Sequence, residues 1–369
     1  MGIRTRSFAN NILSGGVFDA TDLDGALPSS NIDNNSVGNI TAVPALTSVS
    51  TVASDPPSPD AGQIWYNSTD RVLRGYKSSA GSWASGGNTN TSRLWVQGHG
   101  TQTAAMIVAG NAPGAPKTTF VEIYDGSSWT EVGDLGTGRY TVGSGGTTTA
   151  AIGAGGYATG PTGLTETYDG TSWTEVGDLG TASYHNRVAG TQTAAITYGR
   201  ATGTNPYTTI PEVESWDGSS WTEVAELNTI RTRMGGSGTS QTSAIAVSGT
   251  PTAYPISVWV TNVENWNGTS WTELNDVNTA RFNGGSGTSA DTTIYFGGEI
   301  QSGPTSYVTS NEEFDGTSWT EVNDLSTGRQ SVGGAGNGSS ALAIAGTSPF
   351  SGATEEWSKS LVTTTLGAS

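Results

Sequence analysis

The chain has 369 residues, with 15 basic and 32 acidic side chains and a formal net charge of −17. That charge repels phosphate backbones and anionic membranes, so a nucleic-acid partner is not expected, and no stretch reaches 18 apolar residues, so membrane insertion is not expected either. No cysteine occurs and only two histidines, His99 and His185; this removes disulfides, thiolate sites and thiol nucleophiles, and no metal or cofactor is expected.

In chain order, residues 1–62 are rich in Asn, Ser, Thr, Asp and Pro and poor in large apolar side chains. Such a segment cannot bury a core of its own and reads as an extended, low-complexity arm, stiffened at its end by Pro56-Pro57-Ser58-Pro59. Residues 63–79, containing IWYNSTDRVLRGYK, read as a hairpin turning at Asn67–Asp70.

From residue 80 onward a phrase recurs. It reads EIYDGSSWTE at Glu122, ETYDGTSWTE at Glu166, ESWDGSSWTE at Glu214, ENWNGTSWTE at Glu264 and EEFDGTSWTE at Glu312. Its tryptophans are Trp129, Trp173, Trp221, Trp271 and Trp319, with a diverged copy ending at Trp83 and a half-copy at Trp357. From Trp83 to Trp319 the successive spacings are 46, 44, 48, 50 and 48 residues. Asp-Gly or Asn-Gly supplies the positive-φ residues of a tight hairpin turn. Each unit also carries a Gly-rich strand, such as RYTVGSGG, and a small apolar one, such as TTTAAIGAGG. Four short strands per unit of this length is the period of a propeller blade. Small residues suit inner strands converging on an axis, while tryptophans fill the wider outer gaps between blades. The strands around Trp83 and Trp357 are expected to share one blade, removing two open sheet edges.

These units resemble kelch repeats over roughly residues 80–358, with the paired glycines intact at Gly155-Gly156 and Gly297-Gly298. The fold expected is therefore all-β: a six-bladed kelch-like β-propeller over 80–360, closed by N- and C-terminal strands, with a tail at 361–369. The copper-oxidase branch of such propellers needs a cysteine and is excluded. DPPSPDAGQIWYNSTDRVLRGY followed by GSWASGG resembles segments of structural proteins of tailed marine phages, where an anchoring arm joins a repetitive exposed domain.

Arg93, Arg139, Arg231, Arg281 and Arg329 each stand ten residues after a repeat tryptophan, and Arg187 is read as filling the same role at a longer spacing. Glu122, Glu166, Glu214, Glu264, Glu312 and Glu355 recur beside them. A ring of arginines at a channel mouth suits an anionic sugar or carboxylate; ion pairs between blades are the plainer expectation for a feature repeated in every unit. Neither histidine lies in a nucleophile motif, and no catalytic residues are expected. The variable loops between second and third strands carry Tyr157, Tyr207, Tyr254, Trp259, Tyr307 and Phe350. With Arg139, Arg281 and Arg329 these form the candidate ligand-binding set, since binding residues concentrate on loops held by a rigid scaffold.

The function expected is that of a non-enzymatic virion structural protein, a homo-oligomer or present in many copies on the particle. Residues 1–62 would bind other virion proteins, and the propeller would adhere to host-surface polysaccharide. The alternatives are a polysaccharide-active propeller enzyme, which needs an acid–base pair of carboxylates, and a secreted kelch-type lectin.

Overall fold

The computed structural model describes residues 49–60, 62–204, 206–251, 258–301, 307–347 and 349–366. No helix occurs among them. They fall into two compact units, Ser82–Ser358 and the described parts of Met1–Gly81 with Lys359–Ser369.

The smaller unit is one four-stranded sheet. Its hairpin pairs Ile64–Asn67 with Val72–Ser78, as the sequence predicts. Asn67 holds the turn by accepting the Thr69 and Asp70 N–H groups on Oδ1 at 3.1 and 3.0 Å. Two further strands flank it. Ser50–Val52 pairs in parallel with Ile64–Asn67, and Leu361–Leu366 pairs antiparallel with Val72–Ser78. The tail expected at 361–369 is thus a strand over most of its length. The run Leu-Val-Thr-Thr-Thr-Leu has the β-branched content that fits a pleated surface, and it covers an otherwise open hairpin edge. The arm expected at 1–62 lies outside the described residues up to residue 48. Its described end is tied down, with Asp55 Oδ1 accepting from Trp65 Nε1 and Asn67 Nδ2, both at 2.9 Å.

The larger unit consists of six four-stranded antiparallel sheets and one short ribbon. The first sheet runs Gln97–Thr101, Ala104–Val108, Val121–Tyr124, Trp129–Glu131. The second is Gly143–Gly146, Ala151–Ala154, Thr165–Tyr168, Trp173–Glu175. The third is Arg187–Thr191, Ala194–Tyr198, Val213–Trp216, Trp221–Val224, with the ribbon Arg200–Thr202 and Thr208–Ile210 inserted. The fourth is Gly235–Ser240, Ser243–Val247, Val263–Trp266, Trp271–Leu274, and the fifth is Gly285–Ser286, Ile294–Phe296, Asn311–Phe314, Trp319–Val322. In the sixth, Gly333–Asn337, Ser340–Ile344 and Thr354–Ser358 are joined by Ser82–Ser85 as outer strand, with Trp83 opposite Trp357. This repetition of four-stranded antiparallel sheets is the architecture of a β-propeller.

The first strands of successive sheets neighbour one another, and that of the sixth neighbours that of the first. Their glycines are required by this approach: a Cβ at Gly334 would stand 2.1 Å from the Ser286 carbonyl oxygen. Apolar clusters fill the gaps between adjacent sheets. Trp129 of the first sheet packs with Leu342 and Ile344 of the sixth, and Trp271 of the fourth with Ile196 and Tyr198 of the third.

Candidate functional site

Arg139, Arg281 and Arg329 are fully or almost fully buried, which corrects their assignment to a ligand-binding face. Each belongs to the connector entering a sheet and pairs with a glutamate on the third strand of that sheet: Arg139–Glu166 at 2.7 Å, Arg281–Glu312 at 3.0 Å and Arg329–Glu355 at 2.7 Å. Arg93–Glu122 and Arg231–Glu264 repeat the arrangement at 2.6 and 2.5 Å. The pairs are internal to each sheet and its connector, not between blades. Most of the Nη donors are also used, whereas Nε of Arg93, Arg139, Arg231, Arg281 and Arg329 is buried without a partner among the described residues. Arg139 Nη1 donates to the carbonyls of Gly155 and Leu164 at 2.7 and 2.6 Å, while Glu166 Oε2 accepts the Gly136 N–H at 2.7 Å. Buried charges of this kind are tolerable because each guanidinium meets a carboxylate and further hydrogen-bond partners at its Nη atoms.

The third sheet departs from the pattern. Ser183 occupies the repeat arginine position, and Arg187 does not take over the role. Arg200 does, pairing with Glu214 at 2.6 Å and donating from Nε to Ser183 Oγ at 2.8 Å. Arg200 stands where the other sheets have the second glycine after the small apolar strand, for example Gly156 and Gly298.

Two residues beyond each repeat arginine position lies a non-glycine residue with positive φ: Trp95, Thr141, His185, Arg233, Asn283 and Ser331, with φ from 53 to 61°. L-residues adopt this region rarely and bulky ones at a cost. Backbone hydrogen bonds link them in series. Trp95 donates to Ser331 at 3.3 Å, Thr141 to Trp95 at 3.1 Å, Ser331 to Asn283 at 2.7 Å, and Asn283 to Arg233 at 2.8 Å. No such bond joins Thr141 to His185 or His185 to Arg233 among the described residues; there the Arg233 side chain donates from Nε to His185 Nε2 at 3.3 Å. Burial first, then Arg233 and Arg187, hold the His185 pKa well below 6.5, so its imidazole is neutral and free to accept that bond.

These six residues, with Gln97, Asn186 and Arg187, line a cavity of about 40 Å³. That volume admits water, not a sugar ring, so recognition of anything larger falls to its rim. The rim is aromatic. Ring centroids run Trp95–Tyr140 at 4.9 Å, Tyr140–Tyr157 at 5.1 Å, Tyr157–Tyr184 at 5.3 Å, Tyr184–His185 at 4.6 Å and His185–Tyr207 at 6.1 Å. Arg233 lies 4.6 Å from the Tyr207 ring and 5.7 Å from that of Phe282, which contacts Trp259 at 5.0 Å. Burial pushes the Tyr184 hydroxyl up to about 12.

Of the loop aromatics read from the sequence, the structure brings Tyr157, Tyr207 and Trp259 into this cluster. Tyr207 is buried, whereas Tyr157 and Trp259 are half-exposed. Tyr307 and Phe350 make no ring contact with it among the described residues, and Tyr254 lies outside them. The sequence reading missed Trp95, Tyr140, Tyr184, Arg233 and Phe282. Their signal was positional: each stands one or two residues after a repeat arginine position. His99 lies elsewhere, buried on the first strand of its sheet beside Ser144 Oγ at 3.1 Å, and burial lowers it to about 4.

No family model and no curated protein matches the chain. Among solved structures, "Structure of YjhT" aligns with a TM-score of 0.59 at 16% identity, covering 74% of this chain and 99% of that one. The chain has a kelch-type β-propeller fold. In all, 363 solved chains match, so the fold is widespread and function must be argued from the site.

Proposed function

We propose that the chain is a non-enzymatic structural protein of a tailed-phage particle, built on a six-bladed propeller closed by Ser82–Ser85 against Thr354–Ser358. Residues 1–62 join it to other virion proteins, and the face carrying the aromatic rim adheres to host-surface polysaccharide. The phage assignment rests on the resemblance carried by residues 55–87. The adhesion assignment is carried by one observation: the half-exposed series Trp95–Tyr140–Tyr157, with Trp259 beyond it, around a cavity too small for a substrate. Such rings match the apolar C–H faces of sugars, and flanking hydroxyl and amide groups match their polar edges. A hydrolytic site would need two carboxylates; the cavity lining contains none.

Two measurements test this. Mass spectrometry and imaging of purified particles are expected to find the chain assembled; its absence overturns the virion assignment. On a glycan array, Tyr140→Ala and Tyr157→Ala are expected to weaken binding by about three- to tenfold each, the worth of one lost ring contact. Binding indifferent to both substitutions places adhesion elsewhere on the molecule.

A further inference from the structure

Between Ser82 and Ser358 there are nine basic residues. Six of them, Arg93, Arg139, Arg200, Arg231, Arg281 and Arg329, are held in the ion pairs described above. The other three, Lys117, Arg187 and Arg233, have no ion-pair partner among the described residues, although the chain as a whole carries a large excess of acid. Two of them, Arg187 and Arg233, line the cavity, and the third stands beside its aromatic rim. Lys117 is exposed, its Nζ 5.8 Å from the centroid of Tyr157. In a protein this acidic, cations left without carboxylates at one mouth are an electrostatic site for an anion.

Arg233 is also presented for binding. His185 takes its Nε–H, and the Tyr207 and Phe282 rings lie on its guanidinium. Neither Nη atom hydrogen-bonds to another described residue. The paired Nη donors match the two oxygens of a carboxylate, and a guanidinium already fixed in place loses little entropy on binding. Its backbone φ of 54° is a further cost borne at this position. Arg187 is anchored by Nε to the Met234 carbonyl at 2.6 Å and by Nη2 to that of Gly284 at 3.4 Å. Glu299, half-buried, feels the charge of Arg233 but is not in ion-pair contact with it. Burial raises its pKa, and Arg233 draws it back down.

We infer that this rim recognises an acidic saccharide, the sugar ring lying on Tyr140 and Tyr157 and its carboxylate received by Arg233, with Arg187 and Lys117 adding positive potential. The inference rests on the adhesion reading and names its ligand class.

The test is calorimetric titration of the full chain with oligogalacturonate, its fully methyl-esterified form, and a neutral cello-oligosaccharide of the same length. The acid is expected to bind at least tenfold tighter than its ester. Arg233→Gln is expected to abolish that preference, and Arg233→Lys to restore only part of it, because charge returns without the fork. Thermal melting of each variant verifies folding. If Arg233→Gln does not fold, the salt dependence of wild-type binding decides, since a carboxylate contact weakens with ionic strength and an ester contact does not. Equal binding of acid and ester overturns the acidic-ligand inference while leaving adhesion intact. Binding of none of the three overturns the inference, and indifference to Tyr140→Ala on the wider array then removes the adhesion reading as well.

Discussion

A buried arginine is stable in this protein only because the chain delivers a carboxylate and carbonyl oxygens to the same spot. The third sheet makes the point. Its repeat position holds Ser183, yet a guanidinium still reaches Glu214 because Arg200 replaces a glycine on the neighbouring strand. Two sequence positions therefore serve one location in space. Arg200→Gly alone leaves the buried Glu214 without its charge partner and is expected to cost about 3–5 kcal/mol. Adding Ser183→Arg is expected to recover most of that loss, since the double variant reproduces the arrangement of Arg139, Gly156 and Glu166. Urea denaturation of both single variants and the double completes the cycle. Additive losses would show that the two positions do not share a site.

At the scale of the element, the recurring hairpin is held by its first turn residue. Asp125 Oδ1 accepts the Ser127 and Ser128 N–H groups at 2.9 and 2.8 Å, and Asp217 accepts those of Ser219 and Ser220, both at 2.8 Å. The N–H of Ser128, with the other bonds at that turn, lowers Asp125 to about 2; the N–H of Ser220 and its companions do the same for Asp217. A carboxylate whose pKa is depressed on folding stabilises the protein fully above its unfolded value, ~3.9. That contribution disappears as pH falls through the folded value. The melting temperature is thus expected to fall between about pH 4 and pH 2. The fourth hairpin supplies the control, because Asn267 makes the same two bonds at 2.9 Å with no titrating group. Asp125→Asn with Asp217→Asn is expected to flatten that acid limb while leaving the neutral-pH melt close to wild type. An unchanged slope would assign acid lability to other carboxylates.

For the whole molecule, the question is what fastens the last sheet. Ser82–Ser85 and Thr354–Ser358 are far apart in sequence and adjacent in space, with the Trp83 and Trp357 rings 5.4 Å apart. Trp357 is fully buried and donates from Nε1 to the Gly338 carbonyl at 2.8 Å. If this contact closes the ring, Trp357→Ala is expected to cost about 3–5 kcal/mol and to broaden the melt of the whole unit. The apolar clusters are shared between neighbouring sheets, so an opened edge loosens each in turn. A sharp transition at the wild-type temperature would show that the unit is secured without it.

The repeat phrase, the Asp-Gly and Asn-Gly turns and the Gly-rich strands made the all-β repeat architecture legible from the amino-acid order. Turn chemistry and strand alternation are local, and a period of 44–50 residues states itself. The strand at Leu361–Leu366 was not assigned, because LVTTTL acquires its partner only when the hairpin at 64–78 stands beside it. The site was half legible. Tyr157, Tyr207 and Trp259 belong to it, but the repeat arginines do not, since a charge that recurs in every unit is consumed by that unit's own glutamate. Which cations remain unpaired depends on the partners that folding assigns, a subtraction the sequence alone could not perform. Local composition determined the strands and turns of this chain; only the tertiary structure decided that Lys117, Arg187 and Arg233 would meet around one aromatic mouth.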